Sequence, residues 1–560
     1  MELQQDGKLA ETVFYDISER LHPRPKRDVS FYLVLVGAVL PIWFMVPLSW
    51  AYVIYTLRTG QIWALGWCGR TLFIAALCEV FFNVHHCVLA WYIAPSSSLP
   101  LHSLGELRSA FKRMLRAGLV SLPEVGCNHE PSKLAKSTIS DDFIHLRYDD
   151  PRAVDFRNYL RTWFGKVPWS SIRRHEFYAW LYWSIFNARF TSFDQVPEPH
   201  QLALRDVLHM IELRSGSTIP EGSNPAAKPI LLTLDPVCVY SRPLVWYAGV
   251  MVCNLLSRVY LMTQWDVTFG TYNGLDYVLR VPPHWSSATG PRPVVFLHGL
   301  GLGLAHYQPF ISQLLRSLPN HPILIPLQPH ISQQIFHPHY LKPMNRRVMS
   351  ECLAGLMNKL GWVRLEEGCP QSLPKPQPYT RNGEKVTQMQ SPLGVTMLSH
   401  SNGSFVHAWM LKRHPELITR SCFVDPVAFC SWEGDVCYNF LYRPCSTGID
   451  LLMKYYVGTE LGVANVLQRH FDWYSNSLWY EDIPNALDPT KTMFFLGGKD
   501  SILNAKRIKR YLTEHGVLKG LWFEPNLRHG QILLPSSPGH HALLRWLHNH
   551  EVPVDAPSLS

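Results

Sequence analysis

Residues 395–405 read VTMLSHSNGSF: an apolar run, a turn of small polar residues, and then the start of a helical pattern. A short apolar run bounded by turn signals is the composition of a buried strand. Ser399, His400, Ser401, Asn402 and Gly403 make the turn, and Ser401 stands at its apex. A strand–turn–helix junction this tight lifts the apical hydroxyl clear of the backbone and demands small residues two positions to either side. Those positions hold Ser399 and Gly403. Ser399 departs from the glycine usual there, and a hydroxymethyl group is still small.

Upstream, PVVFLHGLGLG at 293–303 puts His298 and Gly299 directly after a strand of buried composition. Acyl-transfer chemistry needs backbone N–H donors for the oxyanion. One is expected from Asn402, the residue after Ser401, and the other from Leu300 in the Gly299-Leu300-Gly301 loop. A dinucleotide loop is disfavoured, because G-x-G-x-x-G fails at Leu304. Downstream, MFFLGGKDSIL (493–503) ends a strand and reaches Asp500, and LWFEPNLRHGQIL (521–533) ends the next and reaches His529. Ser401, Asp500 and His529 thus stand in the order nucleophile, acid, base. His529 is the expected general base and Asp500 the residue that orients it. Asp425, at the end of CFVD, is the rival acid.

Around these segments, runs of strand composition alternate with helical patterns. WDVTFGTY (265–272), LDYVLRV (275–281), PILIP (322–326) and CFVD (422–425) are further strands, and helices are expected at 346–360, 403–413, 502–515 and 539–550. Such alternation predicts an α/β domain with a mostly parallel sheet covered on both faces. The Pro- and Gln-containing stretch 362–392 reads as a surface insertion, and the aromatic helical stretch 430–490 as an inserted cap.

With HG, S-x-S-x-G, Asp and His in this order, residues 265–552 resemble an α/β-hydrolase domain, closest in kind to membrane-anchored lipases and esterases. The resemblance implies an eight-stranded sheet, a cap between the sixth and seventh strands, a Ser401–His529–Asp500 triad, and His298, Gly299, Gly301, Ser399 and Gly403 as supports of the elbow and oxyanion loop. Some relatives with acyltransferase activity carry H-x-x-x-x-D from the catalytic His; here the fifth residue after His529 is Leu534.

Two apolar stretches near the N-terminus are long enough to span a bilayer, for which about 20 residues are needed. The first, Phe31 to Tyr55, has no charge; the second, Arg70 to Ala94, contains Glu79, Asn83, His85 and His86, whose preferred reading is a polar face packed on protein. Arg20, Arg24, Lys26 and Arg27 precede the first span and Arg108, Lys112, Arg113 and Arg116 follow the second, against Arg58 and Arg70 between them. That asymmetry predicts an integral, multi-pass chain: a cytosolic segment 1–30, a hairpin at 31–95, a helical linker or cap region at 96–264, and a catalytic domain facing the cytosol. The apolar run 244–257, followed by Arg258, reads as too short to cross and as a buried or interfacial helix. The Trp-rich stretch 151–215 is expected at a membrane interface or over an apolar pocket.

Composition sets the outer bounds. With 560 residues, 47% hydrophobic and only 17% charged, the chain is no disordered protein. A net charge of +9 spread along this length makes nucleic acid an unlikely partner. The 12 cysteines form no C-x-x-C pair, so a zinc ribbon is not expected; Cys430, Cys437 and Cys445 are disulfide candidates only outside the cytosol. His175-Glu176 lacks the second His of a zinc-protease helix, since position 179 is Ala. His330, His337 and His339 lie without a carboxylate or Cys ligand at useful spacing, and read as packing near the substrate entrance. The one sequon, Asn402-Gly403-Ser404, coincides with the elbow, where a glycan is sterically excluded. The expectation is a membrane-bound serine hydrolase of lipid esters, needing neither metal nor cofactor. A lipid acyltransferase using the same triad and a non-catalytic scaffold are the alternatives.

Overall fold

The computed structural model describes residues 16–23, 25–96, 102–119, 145–287, 289–365 and 394–548. The expected insertion at 362–392 falls almost wholly outside them. The chain forms two compact units, one from Met1–Pro23 with His102–Ile230 and one from Arg24–Leu101 with Leu231–Ser560. Residues 231–264, read from sequence as linker, therefore share a unit with the sheet.

In the first unit, helices Leu104–Arg116, Pro151–Leu160, Arg174–Phe186 and Glu198–Ser215 enclose an aromatic core. Trp163 lies 5.4 Å from Trp183 and 6.2 Å from Trp180, all three buried. Three of the four tryptophans of 151–190 thus cluster around Trp163, and Trp169 packs on Phe177. Glu176 accepts from Ser223 Oγ at 2.6 Å and Asn224 N–H at 3.0 Å, a structural use of the His175-Glu176 pair.

The second unit opens with a helical hairpin, α1 (Val29–Thr59) and α2 (Trp67–Tyr92), followed by α3 (Leu244–Trp265). All three are long and apolar enough to cross a membrane. For α3 this corrects the sequence reading: the helix continues past Arg258 to 22 residues. Both ends of the hairpin are tied to the same domain. Asp28 N–H donates to Ser446 O at 2.9 Å, and the Arg469 guanidinium donates to Ile93 O and Ala94 O at 3.0 and 2.8 Å. Three of the four polar residues singled out in α2 face protein: Glu79 Oε2 accepts from Leu244 N–H at 2.7 Å, Asn83 binds Ser241 Oγ and the Trp50 indole at 2.9 and 3.1 Å, and His86 is buried, whereas His85 is exposed.

An eight-stranded sheet follows: β1 (Thr268–Tyr272), β2 (Leu275–Arg280), β3 (Val294–Leu297), β4 (Ile323–Pro326), β5 (Val395–His400), β6 (Ile418–Val424), β7 (Thr492–Gly497) and β8 (Leu521–Glu524). Its order is β1-β2-β4-β3-β5-β6-β7-β8; β1 and β2 pair antiparallel, as do β2 and β4, and every other pairing is parallel. β3, β5 and β7 are buried at every position, because helices cover both faces. On one side α4 (Leu304–Ser317) and α8 (Pro538–His548) share a core with Phe296, Leu398, Val424 and Phe495. Residues of the alternate parity point to the other side, where α5 (Arg346–Lys359) packs on α6 (Gly403–Arg413). Helix α7 (Ala505–Glu514) follows β7.

Between β6 and β7 the chain makes an excursion of short helices. Two of its turns are π-helical, Tyr438–Tyr442 and Met453–Gly458, and Leu461–Arg469 is an α-helix. Glu433 and Arg507 form a buried bidentate ion pair (2.7–3.1 Å) that ties this excursion to α7.

Candidate active site

Parallel strands present their carboxyl ends on one edge of the sheet, where loops are free to carry function. Ser401 follows β5, Asp425 follows β6, Asp500 follows β7 and His529 follows β8. Ser401 is held at φ +53, a left-handed conformation rare outside glycine and costly for a side chain. The turn is fastened on both sides: Ser401 N–H donates to Val424 O at 3.1 Å, and Ser404 Oγ donates to Ser401 O at 2.7 Å. Gly403 has no room for a side chain, since a Cβ there would lie 2.2 Å from Leu297 O.

Four residues far apart in sequence meet at this turn. Ser401 Oγ is 2.8 Å from His529 Nε2, and His529 Nδ1 is 2.5 Å from Asp500 Oδ2. Asp500 Oδ1 in turn accepts the N–H groups of Ile502 and Leu503 at 2.8 and 3.1 Å, which fixes the carboxylate plane. Asp425 has another task. Its two oxygens accept Gly497 N–H and Gly530 N–H, each at 2.8 Å, so it pins the loops that carry Asp500 and His529. Among the described residues, Asp425, Asp500 and His529 are the one trio with metal-ligand atoms close together, all within 4.8 Å; there the His529 Nδ1–Asp500 contact already occupies the donor atoms.

The electrostatics follow from burial and these charges. Burial opposes the imidazolium of His529, but the Asp500 charge and hydrogen bond, with Asp425 behind, raise its pKa above the ordinary value. Burial, and then the Asp500 carboxylate, push Asp425 upward. His400, next to Ser401, is kept neutral by burial and by His529.

A strand–elbow–helix with a serine hydroxyl in line with a histidine and an acid, on a sheet ordered 1-2-4-3-5-6-7-8, decides the family of folds. This is the α/β-hydrolase fold. No family model matches the chain, and no curated protein matches it. Among solved structures it is similar to carboxylesterase CesB from Bacillus subtilis, at 12% identity over 53% of this chain and 96% of that one, with a TM-score of 0.30. It is also similar to an α/β-hydrolase enzyme from a Medee basin deep-sea metagenome library (14% identity, 51% and 99% covered, TM-score 0.34). A membrane phospholipase A described as a bacterial virulence factor is a third (15% identity, 55% and 96% covered, TM-score 0.30).

The α/β-hydrolase domain also places the supporting residues. Gly299 lies against the elbow, and a Cβ there would come 2.8 Å from both Ser401 Cβ and the Tyr307 hydroxyl. In the Gly299-Leu300-Gly301 loop, Gly299 N–H donates to Tyr307 Oη at 2.9 Å and Gly301 N–H donates to Ile331 O at 3.1 Å. Leu300 N–H is the donor left in that loop, and Leu300, Ser401 and Asn402 line one pocket. His298 is buried, with Nδ1 2.9 Å from Gly299 O.

The pocket is apolar and holds about 450 Å³, open mouth included. Val436, Cys437, Phe440 and Leu441 from the excursion after β6, with Phe405 and Phe471, form much of its wall. Its lining belongs wholly to the second unit. Cys430, Cys437 and Cys445 are free thiols. His337 binds Asp276 Oδ2 through Nε2 at 3.0 Å and accepts from His339 N–H at 3.1 Å through Nδ1; His330 is buried, which pushes its pKa down to about 3.

Two functional-looking residues had no sequence signal. Tyr307, on α4, accepts from Gly299 N–H and is hydrogen-bonded to His400 Nδ1 at 2.7 Å, joining the Gly299 loop to the elbow. His407, one helical turn into α6, hydrogen-bonds Ser399 Oγ at 2.9 Å and Ser421 Oγ at 3.2 Å, which gives the departure from glycine at 399 a partner. His407 stands eight residues after Ser399, a spacing that becomes meaningful only once the strand doubles back as a helix.

Proposed function

We propose that this chain is a membrane-bound serine hydrolase that cleaves carboxylic esters of lipids through an acyl-Ser401 intermediate. The observation that carries the reading is the line Ser401 Oγ–His529 Nε2–Nδ1–Asp500 at 2.8 and 2.5 Å beside an apolar pocket. Ser401 Oγ attacks the ester carbonyl carbon as His529 Nε2 takes its proton, and Asp500 holds the tautomer and the imidazolium. The carbonyl oxygen becomes an oxyanion that accepts the N–H groups of Leu300 and Asn402. The C–O bond of the leaving alcohol breaks, and His529 returns the proton to it. Water then repeats the sequence on the acyl-enzyme and releases the acid. No cofactor or metal enters these steps.

The apolar pocket suits an acyl chain, and the hairpin keeps the site where lipid esters partition. The Lys and Arg flanks of the hairpin favour a cytosolic catalytic domain. A fluorophosphonate probe should label the purified wild type and not Ser401→Ala. Unlabelled, well-folded wild type, or equal labelling of the variant, sinks the proposal. Product analysis with lipid acceptors separates hydrolysis from acyl transfer.

A further inference from the structure

Helix α3 meets the length and composition of a membrane span, yet both of its flanks are tied to the sheet domain. Before it, Tyr240 N–H donates to Thr459 O at 3.1 Å, and the buried Arg242 guanidinium donates to Thr459 O and Oγ1 at 3.0 and 3.1 Å. After it, Val267 is buried in the sheet core and β1 begins at Thr268; Thr459 lies between β6 and β7 of that same sheet. Both ends of α3 are thus anchored in one domain, the arrangement of a helix laid along a surface and not of one that leads from one side of a bilayer to the other.

Only a narrow stripe of α3 is held by protein. Tyr247, Val250 and Leu261 are buried, and between them the Asn254 amide donates to Leu302 O at 2.8 Å and accepts from Ala305 N–H at 3.2 Å. The remainder faces outward: Val245, Met251, Val252, Leu255, Leu256 and Val259 are each 47–62% exposed, with Tyr260 and Met262 beside them. Arg258, the single charge in the helix, sets its guanidinium 4.2 Å over the Phe269 ring. A soluble surface does not leave so continuous an apolar face in water.

We propose that α3 lies flat in the interfacial layer of the bilayer, its outer face among the acyl chains. The bilayer is the occupant because α3 continues the apolar hairpin of its own unit, its first N–H bonded to Glu79 of α2. Through Asn254 the flat helix grips the chain just after Gly301, and so holds the mouth beside Ser401 against the lipid surface. The inference rests on the hairpin being inserted in membrane, not on the chemistry at Ser401.

The test uses the full chain in vesicles of phosphatidylcholine and phosphatidylserine. A nitroxide is attached through a ketone-bearing residue, one position at a time, at Val245, Val252, Leu256, Val259 and Met262. A flat helix gives one shallow depth at all five, about 5–10 Å below the phosphates. Depth changing by about 1.5 Å per residue along the helix means a crossing and overturns the proposal. Water-exposed nitroxides, with or without the spin–spin broadening of a second copy, overturn it too. As a second readout, a chain with Leu255→Glu and Leu256→Glu should lose at least about tenfold in turnover of vesicle-borne ester while keeping its turnover of a soluble short-chain ester. If the hydrolase reading fails, the nitroxide depths still decide this one.

Discussion

Ser399 Oγ lies 2.9 Å from His407 Nδ1, and both residues are fully buried. The serine that replaces the usual elbow glycine is therefore half of a hydrogen-bonded pair, closed on its far side by Ser421 and stacked on Phe423, whose ring lies 4.2 Å away. Restoring glycine with Ser399→Gly should strand the Nδ1 atom and cost about 1–3 kcal/mol of stability, with activity per folded molecule retained. Denaturant unfolding of the two proteins checks it; a variant as stable as wild type would remove the role assigned to the pair.

The pH dependence follows from His529. Asp500 and Asp425 raise its pKa against the effect of burial, and a general base must be neutral. Activity should thus fall as pH drops through a midpoint above the ordinary imidazole value of about 6.5. Asp500→Asn should move that midpoint down and lower kcat by roughly 10⁴. Identical midpoints in a pH–rate profile of both enzymes would contradict the assignment.

Asp425 and Asp500 can be told apart by the same kinetics. Asp425→Asn keeps one acceptor oxygen where two N–H groups, Gly497 and Gly530, now bind. The expected result is a loss of about 1–3 kcal/mol in stability with a smaller fall in kcat than Asp500→Asn produces. Equal falls in kcat would return Asp425 to the role of catalytic acid.

Tyr307→Phe removes the hydroxyl shared by Gly299 N–H and His400 Nδ1 without opening a cavity. It should lower kcat by less than the 10²–10³ typical of deleting a direct oxyanion donor, and leave KM unchanged, because Tyr307 acts through the loop. An unaltered kcat would show that the loop holds its shape without it.

The Glu433–Arg507 pair joins the excursion after β6 to α7, with both side chains less than a tenth exposed. Removing one partner, as in Glu433→Ala, strips the buried guanidinium of its bidentate acceptor and should cost about 3 kcal/mol. Replacing both by apolar residues of similar volume should cost less. Thermal melts in detergent measure the difference; additive losses would mean the two do not act as a pair.

What the amino-acid order settles by itself is local. Eight strands, the helices at 346–360, 403–413, 502–515 and 539–550 and the elbow at Ser401 are legible because hydrophobic period, small residues at a tight turn and Gly-rich strand ends are short-range signals, whereas α4 between β3 and β4 is not. The alternation further implies a sheet whose carboxyl ends lie together, and so brings Ser401, Asp500 and His529 within view as partners. The apolar run stops at Arg258 in the sequence, yet α3 continues through it, because an aromatic ring from β1 accepts that charge. The sequence names Asp500 with Asp425 as its rival, and the tertiary structure separates their contacts: Asp500 faces His529 while Asp425 binds Gly497 and Gly530. Tertiary structure also decided that Tyr307 and His407 serve the site. Their partners lie 93 residues away for Tyr307–His400 and 8 for His407–Ser399, and those contacts exist only where separate elements pack. Spacing along the chain records the neighbours of a residue within one element, while hydrogen bonds between elements depend on how the layers are stacked.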